Sequence, residues 1–325
     1  MPDALVKYGQ HPYVNGAPPE TPAAEVEPQQ LNRILAVLKT RTKYDFHYYR
    51  KNMLMRRVQR RMSLCQIQSM PEYLEHLRET PDEVTALYKD LLIGVTSYFC
   101  EAEAFKVLQQ RVIPELVERT GTDHPIRVWV PGCATGEEAY TIAMLLIEQF
   151  GDAKKPLNIQ LFATDIDEGS LETARHGLYP DSIAAEVSPE RLQRFFVKAD
   201  ENHYQVNKQL RESVVFTPQN LLSDAPFSKL DLVSCRNLLI YLDPEVQAKV
   251  IRLFHFALVE DGYLLLGPSE SIGRQVDLFE PVSKKWRVYR RIGLPPGKST
   301  SVCERISTGL SPERMLSDAS ETLWC

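Results

Sequence analysis

The spacing of hydrophobic positions divides the chain into a helical first part and an alternating second part. Between residues 31 and 120 the apolar positions recur every three or four residues, which predicts amphipathic helices. Pro71 and Pro81 stand where two of these helices should begin, and each precedes an acid that suits the positive end of a helix. The helical period is carried by Leu31, Ile34, Leu35, Leu38, Leu54, Val58, Met62, Phe105, Leu108, Val112 and Leu116. We therefore expect an all-α domain over residues 31–120.

From about residue 126 onward, short apolar runs alternate with helical patterns. The runs that predict strands are Ile126–Val130, Ile159–Ala163, Leu230–Ser234 and Gly262–Gly267, and the helical patterns are Glu137–Phe150 and Pro244–Val259. This alternation is typical of an α/β domain with a mostly parallel sheet covered on both faces. It is interrupted at about residues 190–217, where short β-rich runs, including Val214–Phe216, predict a small antiparallel insert. The α/β domain is expected to cover residues 121–293.

Both ends of the chain and its cysteine usage narrow the class of protein. Residues 1–30 are rich in proline, and residues 294–325 in Pro, Gly, Ser and Thr, so we expect a linker-like tail and a disordered tail. Six scattered cysteines without a Cys-x-x-Cys pair, and histidines without ligand spacing, predict neither disulfides nor a bound metal and fit a reducing cytoplasm. No apolar run reaches the roughly 18 residues of a membrane span, and the first residues do not form a signal peptide.

Charge is distributed unevenly along the chain. The net charge of −5 excludes a globally basic nucleic-acid binder. Residues 31–70, however, hold ten Lys/Arg and one acid, a net charge of +9, which leaves −14 for the remainder. One predicted helix carries four arginines at i, i+4 spacing, namely Arg56, Arg57, Arg60 and Arg61. A basic lobe on an acidic body predicts an acidic partner, and a solvated helix face is the alternative interpretation.

A glycine-rich turn follows the first strand of the α/β part. The run Pro131–Glu138 places Gly132 and Gly136 between a strand and a helix, a ligand site in open α/β sheets. The spacing matches neither the dinucleotide nor the phosphate-binding glycine motif. Glu137 and Glu138 would repel a pyrophosphate, but they suit a cofactor with hydroxyls and positive charge, such as S-adenosylmethionine. The second strand ends at Asp165, where a ribose contact is expected.

Several motifs together resemble the CheR-type chemotaxis receptor methyltransferases. They are Val95–Phe99, Pro131–Glu138, Ala163–Asp167, Gln219–Leu222, Cys235–Tyr241 and Asp261–Ser271. The resemblance covers about residues 31–292 in order. It implies an all-α N-terminal domain and a Rossmann-like, S-adenosylmethionine-dependent methyltransferase domain with a small antiparallel β-subdomain insert. It also implies transfer of methyl to glutamate side chains on the cytoplasmic helices of chemoreceptors, with S-adenosylhomocysteine as the product.

The resemblance also implies roles for individual residues. Together with the glycine-rich turn, the residues expected to bind the cofactor are Gly94, Thr96, Gly132, Gly136, Glu137, Glu138, Asp165, Asn220, Leu221, Asn237 and Leu238. Tyr241 is expected near the methyl-transfer site, with Arg236 either orienting the substrate carboxylate or serving the structure. The basic helix, with Arg56, Arg57, Arg60 and Arg61, is expected to meet the acidic receptor helix.

The chain departs from the family pattern at two positions. Gly94 stands where the family has an asparagine, and Cys100 replaces an arginine of the family's active site. Cysteine offers neither the charge nor the planar donor fork that suits a carboxylate. An alternative function is therefore a catalytically impaired module that binds S-adenosylmethionine or its product and regulates a signalling partner. Methylation of nucleic acid is disfavoured because the chain has no Asp/Asn-Pro-Pro-Tyr type motif.

The first residues carry a second resemblance. Met1–Val14 is similar to the last segment of CheB-type methylesterase domains. This implies that methylesterase and sensory domains are fused to the chain or associate with it.

Overall fold

A helical domain forms the first part of the computed structural model, which describes residues 26–92, 94, 96–121 and 124–293. Its helices are α1 (Val26–Thr42), a 3₁₀ turn (Phe46–Tyr48), α2 (Lys51–Leu64), α3 (Met70–Glu79) and α4 (Pro81–Leu91). The predicted helix starts are confirmed, since Pro71 and Pro81 both lie in a first turn, where a missing N–H costs nothing. The apolar stripes of the four helices meet in one core that extends from Leu31 to Leu91. Helix α1 includes residues 26–30 of the expected first tail, and the rest of that tail and residues 294–325 lie outside the described residues.

The next helical segment belongs to the second domain rather than to the first. It comprises α5 (Ala102–Val107), a π turn (Leu108–Val112) and α6 (Ile113–Arg119). Its apolar residues, including Phe105 and Leu116, pack into the core of the sheet. The expected domain boundary near residue 120 is therefore corrected to about residue 92, because helical periodicity does not show which core a helix joins. The π turn precedes Pro114, which has no N–H to continue the α ladder.

The second domain is built on a seven-stranded sheet. Its strands are β1 (Ile126–Pro131), β2 (Ile159–Asp165), β6 (Val214–Pro218), β7 (Leu230–Cys235), β8 (Leu258–Leu266), β9 (Phe279–Ser283) and β10 (Val288–Arg291). The order is β6-β2-β1-β7-β8-β10-β9; β6 to β8 run parallel, while β10 is antiparallel to both of its neighbours. The main connecting helices are α7 (Glu137–Asp152), α8 (Glu168–His176) and α11 (Pro244–Ala257). The Rossmann-like α/β prediction is confirmed.

A small three-stranded antiparallel sheet interrupts this order. It is formed by β3 (Leu178–Pro180), β4 (Phe196–Lys198) and β5 (His203–Val206), in the order β3-β5-β4. A 3₁₀ turn (Asp181–Ala185) and helices α9 (Pro189–Phe195) and α10 (Lys208–Glu212) accompany it. The insert thus begins near residue 178, and Val214–Phe216 are corrected to the main sheet, where they pair in parallel with β2. The β-rich run predicted a strand at these residues, but it did not show which strand would pair with it.

The two domains meet beside the carboxyl ends of the strands. Tyr49 and Leu242 form an antiparallel bridge. The N–H of Arg50 donates to the Tyr241 carbonyl at 2.9 Å, and the Tyr88 hydroxyl donates to the carbonyl of residue 166 at 3.2 Å. These contacts hold the start of the basic helix α2 against the loop that follows β7. Within the described ranges no helix is both long and apolar enough to cross a membrane.

Candidate functional site

A pocket opens at the carboxyl ends of β1, β2 and β7, under the edge of the helical domain. Nine of the residues predicted to bind a cofactor line it, namely Gly94, Thr96, Gly132, Glu138, Asp165, Asn220, Leu221, Asn237 and Leu238. The three residues predicted for the chemical step line it as well, namely Cys100, Arg236 and Tyr241. The structure therefore brings together side chains from five separate motifs. Their individual roles toward a ligand remain predictions.

The glycine-rich turn after β1 follows a tight path that its sequence makes accessible. Gly132 adopts a φ of +70°, and its N–H donates to the Thr164 carbonyl at 2.7 Å. A side chain at this position would place Cβ 3.0 Å from a methyl group of Leu238 on the opposite wall. The turn therefore needs glycine both for its conformation and for the width of the pocket.

Gly136 and Glu137 are not among the residues that line the pocket, and a role for them in cofactor binding remains a prediction. Gly136 has a φ of +95° and packs against Ala174 and Phe216. The Glu137 carboxylate turns back to accept a bond from the Thr135 hydroxyl at 2.8 Å. Both residues shape the turn.

Asp165 links the ends of β1 and β2. One carboxylate oxygen accepts the N–H of Ala134 at 2.8 Å, and the other accepts the N–H of Asp167 at 3.0 Å. Burial raises the pKa of Asp165, and the backbone N–H groups oppose that rise. Asp167 and Ser170 also line the pocket, and the Ser170 hydroxyl donates to Asp167 at 2.7 Å. Asp167 and Ser170 could have been predicted as pocket residues from their position just after the end of β2, at the start of α8.

Arg236 is held by acceptors of the protein itself. Its side chain is 1% exposed, and it donates to Glu101 at 2.7 Å and to the Cys100 carbonyl at 2.9 Å. A longer contact of 3.4 Å joins it to Glu138, which also accepts the Ser234 hydroxyl at 2.6 Å. Burial raises the pKa of Glu138, and the charge of Arg236 opposes that rise. The cluster ties β7 to α7 and to the Cys100 segment.

Glu270, to which sequence analysis gave no role, organises the loop that carries Asn237 to Tyr241. Its carboxylate is buried and accepts four backbone N–H groups at 2.6–3.3 Å, from residues 237, 239, 240 and 267. Gly267 allows this approach, since a Cβ there would lie 2.6 Å from the Asn237 amide oxygen. The sequence feature that could have indicated this role is the position of Glu270 near the end of the Asp261–Ser271 motif.

Tyr49 is another pocket residue that sequence analysis missed. It comes from the helical domain and lines the pocket together with Leu91 and Leu92. Burial and the nearby charge of Asp165 raise the pKa of Tyr49 to about 12. The site is thus closed on one side by the first domain, and spacing within the second domain could not show this.

An open groove of about 720 Å³ adjoins the pocket at Tyr241, which lines both. Its other side is the start of α2, with Arg50, Lys51, Arg56 and Arg57. Burial raises the pKa of Tyr241, while the charge of Arg57 opposes the rise. The groove therefore places positive charge beside a phenol at the mouth of the pocket.

The second half of α2 has partners within its own domain. Arg60 donates to Asp90 at 3.0 Å, and Arg61 binds Glu83 through two bonds at 2.6 and 3.0 Å. Both acids lie on α4, a tertiary contact that helical spacing cannot show. Arg56 and Arg57 line the groove, whereas Arg60 and Arg61 pair within the domain; binding of a receptor helix by the four arginines remains a prediction.

A group of potential metal ligands surrounds the same ion pair. Ligand atoms of Cys65, His76 and Glu83 lie within 4.8 Å of one another. The Glu83 carboxylate is already bound by Arg61 and by the Tyr73 hydroxyl, which donates to it at 2.7 Å. The positive charge of Arg61, 2.6 Å from the Glu83 carboxylate, disfavours a metal cation at the same place. Cys65, His76 and Glu83 are therefore best described as part of a polar core of the helical domain.

Comparison with known families agrees with both domains. Residues 29–92 match the family model described as CheR methyltransferase, all-alpha domain, and residues 94–288 match CheR methyltransferase, SAM binding domain. The chain belongs to the CheR methyltransferase family. S-adenosylmethionine is accordingly the cofactor of this CheR-family protein, and the strand-end carboxylate of Asp165 beside a glycine turn fits its ribose.

Individual relatives support the same assignment. The chain is 37% identical over 288 residues to an uncharacterized 104.1 kDa protein of Rhodobacter capsulatus, covering 88% of this chain but 30% of that protein. It is 33% identical to chemotaxis protein methyltransferase 1 of Pseudomonas aeruginosa, covering 66% of this chain and 80% of that protein. It is 28% identical to the chemotaxis protein methyltransferase of Borreliella burgdorferi, with coverages of 75% and 88%.

Proposed function

We propose that this CheR-family protein transfers methyl from S-adenosylmethionine to glutamate side chains on the cytoplasmic helices of chemoreceptors. The observation that carries the proposal is the shared wall at Tyr241, which joins the cofactor pocket to a basic groove. An acidic helix lying in that groove would bring a carboxylate to the mouth of the pocket. The names of the chemotaxis relatives support the same class of substrate.

The proposed reaction needs no general base. A glutamate carboxylate is ionised at neutral pH and is itself the nucleophile. One carboxylate oxygen forms a bond to the methyl carbon as the carbon–sulfur bond breaks, and the electron pair remains on sulfur. The products are a methyl ester and S-adenosylhomocysteine, and no proton moves. The residues of this chain then contribute by aligning the oxygen, the methyl group and the sulfur, and by excluding water.

The candidate groups for orienting the carboxylate are Tyr241 and Arg57. Arg236, the other candidate from the sequence, is engaged by Glu101, Glu138 and a backbone carbonyl. Arg57 lines the same groove as Tyr241 and offers the charge-assisted bond that suits a carboxylate. Arg56 extends the positive wall along the groove.

The groove part of the proposal has a matched test. Arg57→Glu and Arg56→Glu should each lower methyl transfer to receptor membranes at least tenfold, because they oppose an acidic helix. Their affinity for S-adenosylhomocysteine, measured by calorimetry, should stay within twofold of the parent. Arg33→Glu makes the same charge change at an exposed position of α1 and serves as the control. Equal losses from Arg33→Glu and Arg57→Glu would contradict a specific docking groove.

The second candidate function is a binding module without turnover, and Cys100 favours it. Cys100 lines the pocket at the place of the family's arginine. The deciding experiment measures labelled methyl transferred to chemoreceptor-containing membranes as base-labile ester, for the parent and for Cys100→Arg. Label with the parent supports the enzyme. Label with Cys100→Arg alone supports the binding module, and product binding without label in either chain contradicts receptor methylation on the membranes used.

We also propose that methylesterase and sensory domains are fused to this chain or associate with it. The support is the resemblance of residues 1–14 to the end of CheB-type methylesterase domains, together with the greater length of the Rhodobacter relative. The test is the coding sequence upstream of Met1. An in-frame methylesterase domain would support fusion, and an unrelated upstream gene would contradict it.

A further inference from the structure

Two segments that line the pocket contain left-handed backbone at residues other than glycine. In the glycine-rich turn, Ala134 has a φ of +45°. In the other segment, Phe99 and Glu101 have φ values of +49° and +62° and flank Cys100. Such conformations are unfavourable for residues with a Cβ, and they persist only where surrounding contacts hold them. The shape of the pocket therefore depends on what braces these two segments from outside.

The inner side of the glycine-rich turn is held by β2, through the carbonyl of Thr164 and the carboxylate of Asp165. Its outer side is held by the antiparallel insert. The hydroxyl of Tyr179, on β3, donates to the Thr135 carbonyl at 2.6 Å. Tyr179 is 3% exposed, so this bond lies in a largely dry environment where an unpaired carbonyl is costly.

The insert also holds the segment that carries Cys100. The carboxylate of Glu186 accepts the N–H of Tyr98 at 2.8 Å. The guanidinium of Arg191, on α9, stacks on the Phe99 ring at 4.5 Å from its centre. Arg191 is itself fixed by two bonds of 2.8 Å to Glu148 on α7. Contacts from one subdomain thus reach both strained walls.

We propose that the antiparallel insert sets the geometry of the cofactor pocket, with Tyr179, Glu186 and Arg191 as positioning residues. All three lie outside the described pocket lining and act through Thr135, Tyr98 and Phe99. Tyr179 holds the wall that faces the cofactor, so its loss weakens cofactor binding. Glu186 and Arg191 hold the wall that carries Cys100, so their loss lowers the rate of transfer more than cofactor affinity. The second statement rests on the proposed function, and the first rests on cofactor binding alone.

The test for Tyr179 uses a matched pair of conservative substitutions. Tyr179→Phe and Tyr140→Phe each remove one buried hydroxyl that donates to a backbone carbonyl, at 2.6 and 2.7 Å. The acceptor of Tyr140 is the carbonyl of Ala174 on α8 rather than a carbonyl of the strained turn itself. Both variants should lose a similar amount of thermal stability. We expect Tyr179→Phe to weaken S-adenosylhomocysteine binding about tenfold in calorimetry, and Tyr140→Phe to weaken it less than twofold.

Equal changes of affinity in the two variants, or loss of stability without loss of affinity in Tyr179→Phe, would overturn the positioning role. No receptor is needed for this measurement, so failure of the proposed methyl transfer leaves it interpretable.

For the second wall, Glu186→Ala is compared with Glu201→Ala, an exposed acid in the β4–β5 connection of the same insert. With receptor membranes as substrate, Glu186→Ala should lower kcat at least fivefold and change product affinity less than threefold. A kcat equal to that of Glu201→Ala would refute the role of Glu186. If the parent binds product but transfers no methyl, the proposed function fails while the Tyr179 comparison still decides the positioning of the turn.

Discussion

The ion-pair cluster around Arg236 provides the sharpest test of how the site is held together. Arg236→Met keeps the length and apolar bulk of the side chain but removes its charge and its donors. The Arg236 side chain is 1% exposed, and its partners Glu138 and Glu101 are 14% and 28% exposed. The substitution therefore leaves Glu138 charged in a largely dry site with Ser234 as its remaining donor. If Arg236 is structural, the cost appears in folding.

Removing one partner of a buried ion pair typically costs 3–5 kcal/mol, because the other charge is left uncompensated. We expect Arg236→Met to lower the free energy of unfolding by about this amount. Loss of the guanidinium also removes the group that opposes the raised pKa of Glu138. Adding Glu138→Gln should recover about 1–3 kcal/mol, since the two substitutions share one interaction.

Urea unfolding followed by tryptophan fluorescence measures these differences, since Trp129 lies at the centre of the sheet. Arg78→Met is the control, because Arg78 pairs with Glu75 at an exposed position and should cost less than about 1 kcal/mol. An Arg236→Met protein that keeps the unfolding free energy of the parent within 1 kcal/mol, yet loses methyl transfer, would refute the structural assignment. It would return Arg236 to the role of orienting the substrate.

The remaining predictions concern the loop, the turn and the strand-end acid. Glu270→Gln places an NH₂ group against two of the four backbone N–H groups that the carboxylate accepts. It should lower the free energy of unfolding, measured in urea, by about 2–4 kcal/mol. A change below about 1 kcal/mol would contradict the role of Glu270 in holding the loop after β7. Gly132→Ala, whose Cβ meets a leucine methyl at 3.0 Å, should weaken product binding at least tenfold, whereas Gly121→Ala, with open space around it, should not. Burial raises the pKa of Asp165 above its usual 3.8, so the affinity for product should fall as the pH drops through that raised pKa and the carboxylate is protonated. Folding responds in the opposite direction, because the contribution of Asp165 to stability is lost as the pH rises through the same pKa. In calorimetry, Asp165→Asn should show a flatter dependence of product affinity on pH.

Much of the pocket was predictable because a parallel sheet brings the ends of its strands to one edge. The strand-turn-helix at residues 126–137 and the acid at Asp165 follow local rules of glycine, periodicity and strand length. Once those strands are adjacent, the side chains that follow them must share the pocket. Asn237 and Tyr241 were expected from the family resemblance instead, and the structure puts both on the pocket wall.

The errors share a different physical origin. The acids that bind Arg60 and Arg61 lie on α4, and three of the four N–H groups that bind Glu270 lie 30 to 33 residues earlier in the chain. The helices at residues 102–119 have the same periodicity whichever core they join. Tertiary pairing decides each of these cases, and local pattern carries no information about it. Tyr49 belongs to the same class, since it enters the pocket from the other domain.

The positions of the arginines near Tyr241 bear on the absence of an arginine at position 100. In this chain the arginine that follows β7 is enclosed by Glu101 and Glu138, so it balances charge within the fold. The cation that faces the mouth of the pocket comes instead from Arg57, on the basic helix of the first domain. The bridge between Tyr49 and Leu242 fixes that helix beside Tyr241. Under the proposed function, recognition of an acidic partner and orientation of its carboxylate would therefore depend on the same helix. On that proposal the positive charge beside the pocket comes from the helical domain, while position 100 on the pocket wall carries a neutral cysteine.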